Sequence, residues 1–206
     1  MIVDVRDYRV VPGTLEHLIE RFEAVFLDEQ ERLGAHILGI FRDADAGDRF
    51  LWLRGVPDLP ARQRVLTEFY TNGEMWRQHR DEVNTWIADS DDVLLMHPLS
   101  AWAPPATGPS TVTMYSHLRA RPLEEAEASE LQRIVRSAIE AAGGRLLVAL
   151  ETDPAENNFP RHPIRTGEHG LVWFATFASP PPRLPDDVAA TVTARRLIPT
   201  ARSRMR

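Results

Sequence analysis

GAHILGIFRDADAGDRFLWLRG, residues 34–55, decides how this chain folds. Ile37, Leu38, Ile40 and Phe41 make one short apolar run, and Phe50 to Leu53 make another. Between them Asp43 to Asp48 spell DADAGD, the acidic and glycine-containing composition of a tight turn, so residues 35–55 are predicted to be a β-hairpin. Upstream, Ile2 to Val10 alternates as a strand, which Pro12-Gly13-Thr14 stops. Thr14 is placed to cap a helix whose Leu15, Leu18, Ile19, Phe22, Val25 and Phe26 recur at helical spacing, and Gly34 ends it. Downstream, Pro57 and Pro60 open a second helical region that runs through Phe69. It is interrupted near Asn72-Gly73 and resumes over Glu74 to Ile87. After the acidic run Asp89-Ser90-Asp91-Asp92, Val93 to His97 reads as a fourth strand.

The same order recurs beyond SAWAPPATGPS, a Pro-, Gly- and Ser-rich stretch near the midpoint. Thr111 to Arg119 is a strand, and Pro122 starts a helix with its seam on Leu123, Ala126, Leu131, Ile134, Val135, Ala138 and Ile139. Strands follow at Leu146–Glu151 and Leu171–Phe177, then a helical turn at most, and a last strand near Val192–Ile198. Strand–helix–strand–strand–helix–strand, twice, is the split βαβ order. The predicted class is α+β: two tandem ferredoxin-like (βαββαβ) modules packing sheet to sheet as an α/β barrel. Residues 1–99 are the first module, 100–110 the linker, and 111–206 a second, degenerate module.

Composition narrows the chemistry. The chain has no cysteine, which excludes thiolate nucleophiles, cysteine-ligated metals and disulfides. All 24 basic residues are arginine, so Schiff-base chemistry and a P-loop lysine are excluded too. A net charge of −6 argues against nucleic acid as a partner. No apolar run is long enough to span a membrane, and the first residues lack a signal-peptide pattern, so the expected location is cytoplasmic. Neither a clustered metal-ligand spacing nor a GxSxG, GxGxxG or Walker motif appears, and no metal or cofactor is expected.

Polar residues beside an apolar seam mark the candidate site. In EMWRQHRDEVNTWI (Glu74 to Ile87), Trp76, Val83 and Ile87 share one helical face, with His79 and Arg80 flanking it and Asn84 at its edge. In the catalytic reading the three heads converge on a ligand, with His79 as general acid or base, Arg80 as anion clamp and Asn84 as polar orienter. In the structural alternative, Arg80 pairs with the Asp89–Asp92 cluster and His79 bonds a backbone carbonyl. Trp76, Trp52 and Tyr70 are candidate walls of a substrate pocket. The long interstrand segment FPRHPIRTGEH contributes His162 and Arg165 as further substrate-binding candidates, in a lid or an arm onto a partner subunit.

Four stretches carry a family resemblance: FLWLRGVPDLPARQRVLTEFY (Phe50 to Tyr70), WRQHRDEVNTWIADSDDVLLMHP (Trp76 to Pro98), ENNFPRHPIRTGEHGLVWFATF (Glu156 to Phe177) and RLIPTARS (Arg196 to Ser203). In these the chain resembles the NIPSNAP family, of the dimeric α/β-barrel class. The resemblance implies a ferredoxin-like fold and a homo-oligomer, and it implies no particular reaction. His162 stands where the family leads one to expect an aliphatic residue. The reading that joins residues and resemblance is a cofactor-independent enzyme acting on a small, partly aromatic metabolite in the barrel cavity, by proton transfer, cyclisation or oxygenation. The alternatives are a non-catalytic ligand-binding or protein-interaction module, or haem binding over Trp76, His79 and Asn84, since other barrels of the class bind haem.

Overall fold

The computed structural model describes residues 1–102, 111–178, 181 and 184–206, so most of the expected 100–110 linker lies outside the described residues. The first half contains β1 (Ile2–Val10), α1 (Leu15–Arg21), a π-helical turn (Phe22–Phe26), α2 (Leu27–Arg32), β2 (His36–Asp43) and β3 (Arg49–Val56). It continues with α3 (Leu59–Leu66), a second π-helical turn (Thr67–Asn72), α4 (Glu74–Trp86), β4 (Ile87–Asp89) and β5 (Val93–Pro98). The second half contains β6 (Thr111–Arg119), α5 (Glu125–Ala141), β7 (Arg145–Thr152), β8 (His169–Phe177), the single turn α6 (Asp186–Ala189) and β9 (Thr193–Pro199).

Eight of the strands close into one antiparallel barrel, in the order β1-β3-β2-β9-β6-β8-β7-β5 and back to β1. The short β4 adds to the end of β1. Closure within a single chain leaves no open edge on the ring. The first four barrel strands run β5-β1-β3-β2 and the last four β9-β6-β8-β7, the same internal order. Pairing within each group is long: β1 with β3 from Ile2↔Val56 to Arg9↔Arg49, and β6 with β8 from Thr111↔Phe177 to Arg119↔His169. The two seams between the groups are short. Phe41, Arg42 and Asp43 meet Pro199, Ile198 and Leu197 at one, and Met96, His97 and Pro98 meet Thr152, Glu151 and Leu150 at the other.

Strand alternation sorts the side chains into a core inside the barrel and cores outside each half. Val3, Val5, Leu51, Leu53, Leu94, Val172, Phe174 and Leu197 point inward and fill the barrel, where Met205 of the C-terminal tail joins them. Outside the first half, Tyr8, Phe50 and Trp52 pack against Leu18, Phe22, Phe26, Phe69 and Val83 of the helices. Outside the second, Tyr115 and Trp173 pack against Leu131, Val135 and Ile139 of α5. Each fully buried Leu or Phe contributes roughly 1.5–3 kcal/mol.

Both expected helices of the first half are present but not regular, because each carries a π-helical turn. Gly34, with φ +101°, ends α2 in the left-handed conformation that only glycine adopts freely. At Gly73 the chain turns from the second π turn into α4. A Cβ there would lie 2.3 Å from the Phe69 carbonyl oxygen, so glycine is what lets Tyr70 and Trp76 fall on either side of so tight a corner.

Candidate functional site

The alternation of β1 places Asp4, Arg6 and Tyr8 on the helix side of the barrel wall, and the neighbouring β3 places Trp52 and Arg54 beside them. These strands are central, and the helices cover this face. The polar residues are therefore buried: Asp4 is 1% exposed, and Arg6, Arg54 and Arg62 of α3 are 0% exposed. Tyr70 arrives on the second π turn, an irregularity frequent at functional sites. His162 arrives on the loop between β7 and β8.

One carboxylate binds two guanidinium groups directly and a third lies close by. Arg54 donates to Asp4 Oδ2 from Nε at 3.0 Å and Nη2 at 2.6 Å, and from Nη1 to Gln30 Oε1 at 2.9 Å. Arg62 donates from Nε to Asp4 Oδ1 at 2.8 Å, and from Nη1 to Asn158 Oδ1 at 2.8 Å and Asn157 Oδ1 at 3.1 Å. Arg6 donates from Nε to the Tyr8 hydroxyl at 2.8 Å, lies over the Tyr8 and Trp52 rings, and brings Nη2 to 3.5 Å from His162 Nδ1. In this layer three buried donors, Arg6 Nη1, Arg62 Nη2 and Trp52 Nε1, have no partner among the described residues.

The electrostatics carry the same imbalance. Burial by itself would raise the Asp4 carboxyl, but Arg54, Arg62 and Arg6 hold it at about 2. Burial, with Arg6 and Arg54 beside it, pushes His162 down to about 3, so its ring is neutral near pH 7. An arginine has no acceptor, so His162 Nδ1 must be the accepting nitrogen and its proton sits on Nε2. Burial also pushes Tyr8 up to about 12 against the pull of Arg6, which keeps the phenol protonated with its O–H free to donate. Burial lowers the Arg62 guanidinium from its ordinary value in spite of Asp4. Buried charges without partners are strongly unfavourable. Three arginines against one aspartate leave this buried layer with an excess of positive charge.

A stack of rings closes this layer. Tyr70 and His162 lie 4.0 Å apart between centroids, Phe159 stacks on His162 at 5.6 Å, and Trp76 meets Tyr70 edge-on at 5.0 Å. The segment that bears His162 and Phe159 is fastened to the first half of the barrel. Asn158 Nδ2 donates to the Leu59 carbonyl at 2.6 Å, and the Arg165 amide donates to Val93 O at 2.8 Å. It forms a cover over the Arg6 cluster.

Trp52, Tyr70, Trp76 and His162 are thus brought together. Arg165 is not with them: it pairs with Asp92 at 3.1 Å and lines a different space, inside the barrel. The three residues expected to act as a catalytic set do not converge in this structure. His79 turns toward α1, where Arg21 Nη1 donates to its Nδ1 at 2.8 Å and Phe26 meets it edge-on. Arg80 has a 44% exposed side chain, 3.4 Å from the adjacent Asp81, and Asn84 is exposed. The structural alternative is not seen either. Arg80 is not held by the acidic run, whose Asp89 and Asp92 answer instead to Arg9 and to Arg49 and Arg165. Helix α4 lies in the outer layer, and Val83 is its one fully buried residue. Among the described residues no group of three His, Asp or Glu is placed to hold a metal. No helix among the described residues is long and apolar enough to cross a membrane.

Asp4, Arg6, Tyr8, Arg54 and Arg62 were missed from sequence. The available signal was that both central strands of the first half carry arginine on the face that the helices must cover.

No family model matches the chain, and no curated protein does either. The fold is shared with solved structures. A protein from Fusobacterium nucleatum, provisionally named a monooxygenase, superposes with a TM-score of 0.61 at 10% identity, over 96% of this chain and 91% of that one. A second, from Lactobacillus acidophilus and named in the same provisional way, gives 0.59 at 9% identity, over 96% and 93%. An uncharacterized NIPSNAP domain protein from Burkholderia xenovorans is matched over 50% of this chain and 99% of its own, at 15% identity and a TM-score of 0.44. At these identities the property shared with the two neighbours matched over nearly the whole chain is the α+β barrel fold.

Proposed function

We propose that this chain is a cofactor-independent enzyme whose substrate is a small, flat anion, an aromatic carboxylate or enolate, held between the barrel wall and the helices. The observation that carries the reading is the excess of buried arginine over aspartate, with Arg6 Nη1 and Arg62 Nη2 unpartnered. Arg6 and Arg62 clamp the anionic head, Trp52 and Tyr70 flank the ring, and the Tyr8 hydroxyl donates to an oxygen on which charge develops. His162 is the proton acceptor. Burial, with Arg6 and Arg54 beside it, keeps its ring neutral, and a bound anion would offset the arginines' part and raise its affinity for a proton. The ligand enters when the His162–Phe159 cover lifts from Tyr70. Proton transfer and oxygenation by molecular oxygen are the reaction classes this arrangement serves, the second being the one after which two fold neighbours are provisionally named. We further infer that the repeated strand order reflects two tandem ferredoxin-like modules, 1–99 and 111–206, of which the first holds the site and the second contributes the cover.

Salicylate and its neutral counterpart salicylamide test the site. Tryptophan fluorescence, with Trp52 in the cluster, is expected to report salicylate binding at least tenfold tighter than salicylamide, and loss of that binding in Arg6→Gln. Equal affinities, or an unchanged Arg6→Gln protein, would overturn the anion reading. If aromatic acids bind but none is turned over under air, the site is a receptor and the enzymatic half of the proposal fails.

A further inference from the structure

The barrel is not packed solid. At one end its interior holds a cavity of about 350 Å³, on the opposite side of the wall from the arginine cluster. We propose that this cavity is a second binding site, for a neutral, largely apolar molecule that carries one hydrogen-bond donor such as a hydroxyl.

The size and lining are those of a ligand site. Sites for small molecules begin at about 300 Å³ and are mostly apolar, with a few placed polar groups. Here Val5, Leu51, Leu94, Met114, Leu118 and Val172 supply the apolar surface from five strands. The other end of the barrel is filled by side chains, Met205 among them, and the Ser203 hydroxyl accepts the Ile40 amide there at 3.1 Å, so the tail is fixed in place. The cavity is therefore a blind pocket entered from the Asp7 end.

The rim sets the chemical class of the ligand. Asp7 Oδ2 accepts from Arg49 Nη2 at 2.6 Å and from Arg195 Nη1. Arg195 also donates from Nε to Asp43 at 2.8 Å, Arg49 reaches Asp92 at 3.4 Å, and Arg165 donates to Asp92 at 3.1 Å. Carboxylates and guanidinium groups thus alternate around the mouth, and each guanidinium already has its carboxylate. Unlike the cluster across the wall, this rim has no cation left over for an anion. An ammonium brought to Asp7 would face Arg49 and Arg195 at the same carboxylate. Asp7 Oδ1, on a residue 8% exposed, is nevertheless buried without a partner among the described residues, so one acceptor is vacant in a rim whose charges are otherwise paired. A buried unpaired acceptor is unfavourable until a donor reaches it. The complementary molecule has an apolar body for the floor and a single neutral donor for Asp7.

The test compares p-cresol, toluene and benzylamine, matched in size, by calorimetric titration of the full chain. The wild-type protein should bind p-cresol at least tenfold tighter than toluene or benzylamine. Ser116→Phe, which places a ring in the mouth from a half-buried position on β6, should abolish p-cresol binding. Asp7→Asn should bring the cresol-to-toluene ratio to about one. Should Asp7→Asn fail to fold, the wild-type ratio and the Ser116→Phe result decide alone. Equal binding of cresol and toluene would overturn the donor argument, tighter benzylamine binding would overturn neutrality, and cresol binding that survives Ser116→Phe would overturn the location. Absence of binding by all three would overturn the site.

Discussion

Arg6 and Asp7 are consecutive on β1 and serve opposite faces of one barrel wall. The Arg6 guanidinium lies outside, against Tyr8 and Trp52, while the Asp7 carboxylate lies inside, between Arg49 and Arg195. The period-two geometry of a strand makes this obligatory. The outer environment is three arginines around a single aspartate, whereas inside the charges alternate and are matched. Neighbouring residues thereby face surroundings of different charge.

Asp4 is the keystone of the outer cluster. Asp4→Asn is expected to destabilise the chain by about 3–5 kcal/mol, the usual result of leaving buried charge uncompensated. Arg6→Gln, measured without ligand, should be close to neutral or stabilising, because it removes an excess cation. Urea unfolding of the two variants checks the pair. A large loss on Arg6→Gln would mean that the cluster is already balanced without an anion.

His162 should make stability depend on pH below neutrality. Its folded value of about 3 lies below the ordinary 6.5, so between those limits the unfolded chain binds a proton that the folded chain does not. Stability is therefore expected to fall as pH drops from about 6.5 toward 3. Asp4, at about 2 against an ordinary 3.8, adds its own loss only below about pH 4. In His162→Gln the denaturation midpoint should be flatter between pH 6.5 and 4. A bound aromatic anion should shift the His162 titration upward, visible by NMR of the ring.

Tyr8 and Tyr115 should ionise late. Burial pushes both Tyr8 and Tyr115 up to about 12. In an alkaline absorbance titration of the native protein, their phenolates should appear near pH 12, and in urea near the ordinary 10. Tyr8→Phe should delete one late step.

The outer face of α4 should tolerate change. Arg80→Ala and Asn84→Ala are expected to alter stability by no more than about 0.5 kcal/mol, as at other exposed positions, and to leave salicylate binding intact. Loss of binding in either would restore the helix trio to the site.

Much of the fold was legible because it is written in short-range patterns. The DADAGD turn, the strand alternation of Ile2–Val10 and the seams of the helices each specify a local element, and their order specifies the barrel. The site was half legible. Trp52, Tyr70, Trp76 and His162 stood out as ring-bearing residues on elements that had to be packed. Asp4, Arg6 and Tyr8 did not, because a polar face on an alternating strand looks solvent-exposed until neighbours are known. Only the strand order reveals that β1 and β3 are central and that helices lie over that face. His79, Arg80 and Asn84 misled for the converse reason. Their helix borders the core along a narrow stripe, so residues beside its seam already reach water.

The two seams give the ring a grain. Four to nine residue pairs hold each pair of neighbouring barrel strands within a half, but only three hold each junction between the halves. Hydrogen bonds at the junctions are the ones whose loss sacrifices the fewest others, so the ring should part there before it frays elsewhere. Such a parting along both lines leaves two intact curved sheets with their apolar concave faces exposed. Two chains in that condition can reclose on each other as readily as on themselves, a route to an exchanged dimer in which every barrel is built from halves of different molecules.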